Sequence, residues 1–273
     1  MTNMNKVALI TGASSGMGKS TAEILLQQGY KVYGAARRVE RMQDLKEKGM
    51  GVVALDLTKD ESIVKAVDTI LEKEGRIDIL INNAGYGSYG SVEEVPLDEA
   101  KRQFEVNIFG LARLTQLIIP TMRKQKSGRI VNISSMGGKI YTPFGAWYHA
   151  TKFALEGWSD CLRLELKQFG IDVVVVEPGG IKTEWGGIAM ESLKKVSGGG
   201  PYANLVNKVI ASMDTTNDKL TSVDVLGKEI AKAATVKKPK TRYLKGYLAK
   251  PLVGMRKWLG DKTFDKMILS QLK

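Results

Sequence analysis

The sequence is poor in the residues that build disulfides and metal sites, and it has no long apolar run. It has one cysteine, Cys161, so no disulfide can form within the chain. Cys161 falls in a helical pattern of apolar residues, which predicts a buried packing role rather than a catalytic thiol. The lone histidine, His149, leaves no Cys/His cluster, and we expect no metal site.

The first apolar stretch is short. It runs from Val7 to Ile10, directly behind the start of the sequence. This length is too brief for a secretory leader or for a membrane span. The expected location is therefore the cytoplasm.

Positive charge is in excess. Lys and Arg total 41 against 29 Asp and Glu, which gives a formal net charge of +12. The lysines are spread along the chain without an aromatic RNA-binding motif, so we expect a solvated basic surface and no nucleic-acid partner. Such a surface also favours an anionic cofactor.

Short β-branched runs alternate with longer runs of helical period. The predicted strands are Val7–Thr11, Lys31–Ala36, Val52–Asp56, Ile79–Asn82, Arg129–Ser134, Asp172–Glu177 and Arg242–Leu244. The predicted helices are Met17–Gly29, Arg38–Lys48, Glu61–Glu74, Leu97–Lys124, Tyr148–Phe169 and Ser222–Ala234. This alternation predicts βαβ units around a parallel sheet, in a single α/β domain over residues 1–273.

The regular alternation ends after the sixth predicted strand. Residues 184–217 contain the low-order stretch Ser197–Pro201, which predicts a substrate loop or lid, with Trp185 and Met190 as candidates for the pocket. Residues 246–273 form a basic helical tail whose apolar stripe is interrupted by Pro251 and Gly254. We expect this tail to dock on its own subunit, although contact with an anionic membrane is the alternative.

A glycine-rich turn follows the first strand and opens the first helix. Glycines allow the backbone to turn sharply and to approach a pyrophosphate at the positive helix N-terminus. The residues expected to bind the cofactor here are Gly12, Ser14, Ser15, Gly16, Met17 and Gly18.

Two arginines end the second strand, where a dinucleotide site reads the adenosine ribose. Arg37 and Arg38 suit a 2′-phosphate, so NADP(H) is favoured over NAD(H); the alternative is that they cap a surface turn. Asp56 could accept from the adenine amino group or could N-cap the next helix. Small residues after the fourth strand would let a cofactor lie close to Asn83, Ala84 and Gly85.

Tyr148 and Lys152 stand four residues apart in a helical segment and share one face. An ammonium one turn away would lower the pKa of the phenol, which could then exchange a proton with a substrate oxygen. Ser135 could hold that oxygen, with Ser134 as a turn-satisfying hydroxyl. Asn107, in an apolar helix, is either a satisfied core amide or a residue that kinks the helix and holds a relay water. His149 points away from Tyr148, so we expect a packing or solvent role for it.

In this order, the glycine turn, Asn82–Gly85, Asn107, Ser134–Ser135, Tyr148–Lys152 and Pro178–Thr183 resemble the short-chain dehydrogenase/reductase family over roughly residues 5–185. Within that family, the chain is similar to the branch with 17β-hydroxysteroid and retinol dehydrogenases. The resemblance implies a Rossmann-like, doubly wound fold. It also implies a catalytic tetrad of Asn107, Ser135, Tyr148 and Lys152, and cofactor contacts from Tyr148, Lys152, Pro178, Gly179, Ile181 and Thr183.

The sequence therefore predicts an NADP(H)-dependent oxidoreductase that acts on a carbonyl or secondary alcohol, with an apolar small-molecule substrate. The alternative is a binding protein that senses redox state through NADP(H) without turnover. The helices Leu97–Lys124 and Tyr148–Phe169 resemble those through which the family oligomerises, so a homodimer or homotetramer is expected. The substrate and the direction of the reaction are not encoded in any motif.

Overall fold

The computed structural model describes residues 6–272, apart from the side chain of Asp214. Residues 1–5 and Lys273, which belong to the predicted domain and tail, lie outside the described residues. The strands are β1 (Val7–Thr11), β2 (Lys31–Ala36), β3 (Gly51–Ala54), β4 (Ile79–Asn82), β5 (Gly128–Ile133), β6 (Ile171–Pro178) and β7 (Arg242–Lys245). The helices are α1 (Gly16–Gln27), α2 (Gln43–Glu47), α3 (Asp60–Glu74), α4 (Leu97–Phe104), α5 (Gly110–Gln125), α6 (Ala146–Leu166), α7 (Glu184–Ser197), α8 (Ala203–Asp214), α9 (Val223–Thr235) and α10 (Ala249–Ser270).

The seven strands form one sheet in the order β3-β2-β1-β4-β5-β6-β7, with every neighbouring pair parallel. The predicted Rossmann-like, doubly wound sheet is confirmed, and the predicted strand bounds agree within two residues. The strand order reverses between β1 and β4. A ligand of such a sheet binds at this reversal, outside the carboxyl ends of the strands.

Both faces of the sheet are covered. One apolar cluster joins the sheet to α1 and α9, and a second joins it to α3, α5 and α6. The run Val173–Val176 in β6 is at most 3% exposed, as a strand packed on both sides requires. The two layers hold the carboxyl ends of the strands at one rim.

Two predicted helices differ from the observed ones. The single helix predicted for Leu97–Lys124 is divided into α4 and α5 by a π-helical segment, Glu105–Phe109. The segment predicted as the helix Arg38–Lys48 forms a 3₁₀ turn, Val39–Met42, followed by the short α2. The π segment contains Asn107, and a wider turn of this kind is frequent at functional sites.

The prediction of a loop for residues 184–217 is wrong, because most of this segment is helical. α7 and α8 fill it, and the glycine stretch Ser197–Pro201 is only the connection between them. Ala189, Leu193 and Val206 pack with Tyr89 and Phe144 in a small apolar cluster. Tertiary packing of an apolar face, rather than local propensity, stabilises most helices of this length.

The C-terminal tail docks on its own chain, as expected. The ring of Phe264 is 1% exposed, and its centroid lies 5.3 Å from that of Tyr141. The break in α10 falls at Gly260, whose φ is 71°, and not at the two residues that interrupt the apolar stripe. Pro251 lies in the first turn of α10, where the missing N–H costs no helical hydrogen bond. No helix within residues 6–272 is long and apolar enough to cross a membrane.

Two features of the helix surfaces concern earlier expectations. Cys161 is exposed, so the prediction of a buried packing residue is wrong. Leu155, Leu162 and Leu166 share the buried face of α6 instead. Leu164 on α6 is 70% exposed, and oligomerisation through this helix stays a prediction.

Candidate active site

The turn between β1 and α1 requires glycine at several positions. Gly12 and Gly16 have φ values of +69° and +54°, a region that residues with a side chain rarely adopt. A Cβ on Gly18 would lie 2.4 Å from the carbonyl oxygen of Gly12. Behind this turn, α1 begins after Ser15, so the unpaired N–H groups of its first turn lie at the strand-order reversal. This arrangement fits the pyrophosphate of a dinucleotide.

The segment after β4 is tied to the same turn. The side-chain amide of Asn83 donates to the carbonyl oxygen of Thr11 over 2.9 Å, and the backbone N–H of Ala84 donates to the Thr11 hydroxyl over 3.0 Å. A Cβ on Gly85 would lie 3.1 Å from Oδ1 of Asn107. The Asn83 side chain therefore fixes the turn, while the small residues after it leave room beside the backbone.

The segment that follows β6 completes the rim. Thr183 lies beside the glycine turn, with its Cγ2 3.8 Å from the position of a Cβ on Gly16. Ile181 forms a bridge to Thr221, and the N–H of Gly179 donates to the carbonyl oxygen of Lys245 over 2.8 Å. The structure thus brings Pro178–Thr183 beside the glycine turn, and the cofactor contacts of this segment stay a prediction.

The residues predicted to read the ribose lie at the ends of β2 and β3. Arg37 and Arg38 are exposed, and neither guanidinium forms an ion pair or hydrogen bond within residues 6–272. Oδ1 of Asp56 accepts from the N–H and the hydroxyl of Thr58, over 3.0 and 2.8 Å. Asp56 therefore closes a turn, and the alternative that it N-caps α3 is wrong because Lys59 holds that position.

The predicted catalytic residues converge at the ends of β5 and α6. Tyr148 and Lys152 stand one turn apart on α6, and Nζ of Lys152 lies 5.9 Å from the centroid of the Tyr148 ring. The same ammonium donates to the carbonyl oxygen of Ile133 over 2.8 Å. Ser135 follows β5, and its hydroxyl accepts from the N–H of Gly137 over 2.9 Å.

Burial dominates the electrostatics of this group. It raises the pKa of Tyr148 to about 12, an effect that the Ser135 hydroxyl opposes. It also lowers the pKa of Lys152 to about 8, and the Glu156 carboxylate opposes that shift. The expectation of a phenol acidified by the neighbouring ammonium is wrong for this arrangement, because loss of water disfavours the phenolate more strongly than its neighbours favour it.

Asn107 is fully hydrogen-bonded inside the π segment. Its Nδ2 donates to the carbonyl oxygen of Tyr86 over 2.9 Å and to the Thr151 hydroxyl over 3.1 Å. Its Oδ1 accepts from the N–H of Tyr86 over 3.1 Å. The expected irregularity of the helix is confirmed, and so is the alternative of a satisfied core amide. The relay water stays a prediction.

Ser134 and His149 are neighbours of the tetrad in sequence. The Ser134 hydroxyl is buried without a hydrogen-bond partner in the described part of the chain, so the turn-satisfying role expected of it belongs to Ser135. Nε2 of His149 accepts from the N–H of Thr142 over 3.1 Å, which leaves Nδ1 to donate to the carbonyl oxygen of Gly137 over 2.8 Å. Burial lowers the pKa of His149, and its packing role is confirmed.

Aromatic rings pack around Tyr148. The ring centroids of Trp185 and Tyr89 lie 5.0 and 6.0 Å from that of Tyr148. A Cβ on Gly87 would lie 2.5 Å from the Trp185 ring, so only glycine permits this approach. Met190 packs against the same cluster. No motif of the sequence marked Tyr89. Its position shortly after the carboxyl end of β4 could have placed it at this rim.

The comparisons with known proteins agree with this geometry. The family described as short chain dehydrogenase matches residues 6–192, and the chain belongs to the short-chain dehydrogenase/reductase family. It is 35% identical to a probable short-chain type dehydrogenase/reductase of Helicobacter pylori, with 96% of each chain covered. It is 36% identical to a 3-ketodihydrosphingosine reductase of Bacteroides thetaiotaomicron, with 95% of each covered. An NADPH-dependent 3-dehydrocapnine reductase of Ornithobacterium rhinotracheale is 32% identical, with 98% of each covered.

Solved structures extend the comparison to the fold. A short-chain dehydrogenase from Streptomyces avermitilis superposes with a TM-score of 0.80 at 32% identity, covering 98% of each chain. A 3-ketoacyl-(acyl-carrier-protein) reductase from Brucella melitensis, complexed with NADH, has a TM-score of 0.73 at 28% identity and covers 87% of this chain and 95% of its own. A metagenomic short-chain oxidoreductase in complex with NADP has a TM-score of 0.71 at 26% identity, and the match covers 90% of this chain and 98% of the other. A nicotinamide cofactor is thus supported, and this chain is an oxidoreductase of the family.

Proposed function

We propose that the protein reduces a carbonyl group on an apolar substrate with NADPH, and that Tyr148 donates the proton. The observation that carries this proposal is the position of the Tyr148 phenol. It lies beside Ser135 and Lys152 at the carboxyl ends of the strands, and aromatic rings pack against it. A carbonyl held there would face both a proton donor and a cofactor bound along the turn.

Each member of the tetrad has a role in this proposal. The nicotinamide supplies a hydride when it is bound. The Ser135 hydroxyl donates to the carbonyl oxygen and holds it near the phenol, where negative charge develops. The Lys152 ammonium stabilises the phenolate that remains after Tyr148 gives up its proton. Asn107 holds the π segment against Tyr86 through hydrogen bonds to the Tyr86 backbone, and so fixes the backbone that lies near Lys152.

The raised pKa of Tyr148 fits the role of a proton donor. A phenol with a pKa of about 12 stays protonated at neutral pH. The alkoxide that forms when a hydride adds to a ketone is a stronger base than this phenolate, so proton transfer from Tyr148 to it is favourable.

The preference for NADPH rests on the two arginines behind β2. The charge of Arg37 acts on the nearby Asp56 carboxylate, but neither guanidinium forms a hydrogen bond or ion pair within residues 6–272, so both can bind a 2′-phosphate through charge-assisted hydrogen bonds. The similar 3-dehydrocapnine reductase is NADPH-dependent by its name. These observations support NADPH for this chain.

The enclosing rings support an apolar or amphiphilic substrate. Two of the similar proteins are, by their names, reductases of 3-ketodihydrosphingosine and 3-dehydrocapnine, and we extend this type of substrate to the present chain as part of the proposal. Small pockets lined by aromatic side chains orient apolar ligands through a few polar groups. Here those polar groups are Ser135 and Tyr148.

A panel assay tests the proposed function. NADPH oxidation is followed by absorbance with 3-ketodihydrosphingosine, 3-dehydrocapnine, an aromatic ketone and acetone as substrates. We expect kcat/KM to be at least ~100-fold higher for the large apolar ketones than for acetone, because binding removes more of their apolar surface from water. Substitution of NADH should lower kcat/KM by about tenfold or more. Turnover of none of the ketones, with tight NADPH binding, would favour the redox-sensor alternative, and a tenfold preference for NADH would contradict the role given to the arginines.

A further inference from the structure

Two buried carboxyl groups lie near Lys152, beyond it along α6 from Tyr148. Glu156 follows Lys152 by one turn on α6, and Glu177 lies across from it on β6. The side chains of Glu156 and Glu177 are only 6% and 5% exposed. Carboxylates are rarely buried to this extent unless they are paired, and neither is part of the tetrad.

Two cations hold this carboxyl pair. Oε2 of Glu156 lies 2.9 Å from Nζ of Lys139 in an ion pair, and it accepts from Nε and Nη2 of Arg242 over 3.1 Å each. Oε1 of Glu177 lies 3.3 Å from Nε of Arg242 and 3.9 Å from Nζ of Lys139. Asp160, one turn beyond Glu156, accepts from Nη2 of Arg242 over 2.7 Å. The cluster therefore joins α6, β6, β7 and the turn after β5.

Burial and mutual repulsion oppose the ionisation of Glu177 beside Glu156. Burial and the neighbouring Glu156 raise the pKa of Glu177 to about 7, against the pull of Lys139 and Arg242. Oε1 of each glutamate is buried without a hydrogen-bond partner within residues 6–272. Glu156 forms ion pairs with both cations and accepts two hydrogen bonds from Arg242.

Glu156 and Lys152 stand four residues apart on α6, and both are buried, so their side chains share one face of the helix away from bulk water. The turn at Gly138 packs against α6 at the same place, because a Cβ on Gly138 would lie 3.0 Å from Cγ of Glu156. The hydrogen bond from Lys152 to Ile133 ends on a neutral oxygen. Glu156 is the charge that opposes the effect of burial on the pKa of Lys152.

We propose that Glu156 is a positioning residue of the reduction, whose buried carboxylate, held by Lys139 and Arg242, keeps Lys152 protonated beside Tyr148. This inference rests on the proposed function. Its consequence is that the charge of Lys152, and with it the stabilisation of the Tyr148 phenolate, is set by a cluster that touches neither substrate nor cofactor. Activity is then present while Lys152 is charged and is lost as the pH rises through the pKa of Lys152.

Two substitutions should move the alkaline limb of activity in opposite directions. Glu156→Gln removes the negative charge. In the pH profile of kcat/KM at saturating NADPH, the alkaline fall in activity should therefore move to lower pH by about one unit. Lys139→Gln removes a cation and leaves the carboxylate less compensated, so the limb should move up by several tenths of a unit. Glu165→Gln, an exposed glutamate on the same helix, is the matched control and should leave the limb in place.

The charge of Lys152 can also be followed without turnover. Protein labelled with ¹³C-lysine is titrated by NMR, the Lys152 Cε resonance is assigned with Lys152→Arg, and the same opposite shifts are expected in its pKa. Glu156→Asp, which keeps the charge, should restore most of the wild-type value. A purely structural role would lower kcat equally at all pH values and would leave the Lys152 titration unmoved, which would overturn the inference.

The two readouts separate the two claims. Absence of carbonyl turnover in the wild-type protein, with the NMR shifts as expected, would refute the proposed function but not the action of Glu156 on Lys152. NMR shifts without movement of the activity limb would refute the link to the reaction. If Glu156→Gln does not fold, Lys139→Gln decides the matter, because Lys139 is partly exposed, with a side chain 32% exposed, and an unmoved or lowered pKa of Lys152 would contradict the proposal.

Discussion

The two sides of the site are built from different materials. The side that we propose for the cofactor, called the cofactor side, is made of backbone: glycines with positive φ, strand ends and the first turn of α1 leave the space and the N–H groups that a pyrophosphate needs. The side that we propose for the substrate, called the substrate side, is made of large side chains, with Trp185 and Tyr89 packed on Tyr148. A change in such a turn must move backbone, whereas a change in a side chain on α7 need not. We therefore expect cofactor binding to be more sensitive to substitution than substrate choice.

Tyr148 lies where the two sides meet, and its removal should have the largest effect. Tyr148→Phe keeps the ring and its aromatic contacts but removes the proton donor, so kcat should fall by about 10³-fold. The Kd for NADPH, measured by fluorescence titration, should change by less than about threefold. Loss of both binding and turnover would show that Tyr148 supports the cofactor side rather than the chemistry.

The cofactor side should be intolerant of a single methyl group. The Cβ added by Gly18→Ala would lie only 2.4 Å from the Gly12 carbonyl oxygen and 2.4 Å from Nδ2 of Asn83, so the turn must open. We expect the Kd for NADPH to rise by about 10- to 100-fold, which corresponds to the usual cost of overpacking of about 1–3 kcal/mol. Gly157→Ala on α6, where a Cβ meets nothing within 4 Å, is the control. Equal NADPH affinity in both variants would contradict the account of the turn.

The substrate side should be more tolerant. Trp185→Ala removes one wall of the Tyr148 enclosure but no group of the tetrad, so the ratio of kcat/KM between a large and a small ketone should change by up to about tenfold. The Kd for NADPH should stay constant. Ile188→Ala, an exposed residue of the same helix α7, should leave the ratio unchanged. A strong effect of Trp185→Ala on NADPH binding would erase the distinction between the two sides.

The contrast between backbone and side chains also explains which features could be predicted from the sequence. Strands buried on both faces, such as Val173–Val176, carry a local signal, and glycines with obligatory backbone conformations carry another. The helices α7 and α8 carry weaker signals, because their stability comes from a cluster with Tyr89 and Phe144, which lie far away in the sequence. The spacing of Tyr148 and Lys152 identified the pair but not the direction of the pKa shift, which depends on burial.

Cys161 and Asp56 illustrate the same limit on a smaller scale. A helical pattern assigns residues to a face only to within about one position, and Cys161 falls just outside the buried stripe of α6. The partner of Asp56 is Thr58, two residues away, and an Asx-type turn competes with the helix cap at such positions. Neither outcome alters the cofactor side, whose geometry is set by backbone.

The most direct test of the central claim is the fate of a labelled hydride. NADPH carrying deuterium at the transferable C4 position is incubated with the protein and the best ketone of the panel, and the product alcohol is analysed by mass spectrometry and NMR. We predict one deuterium per product molecule, bound to the former carbonyl carbon, and a single stereoisomer. Product without deuterium at that carbon, or NADPH consumption that does not depend on the ketone, would contradict the account.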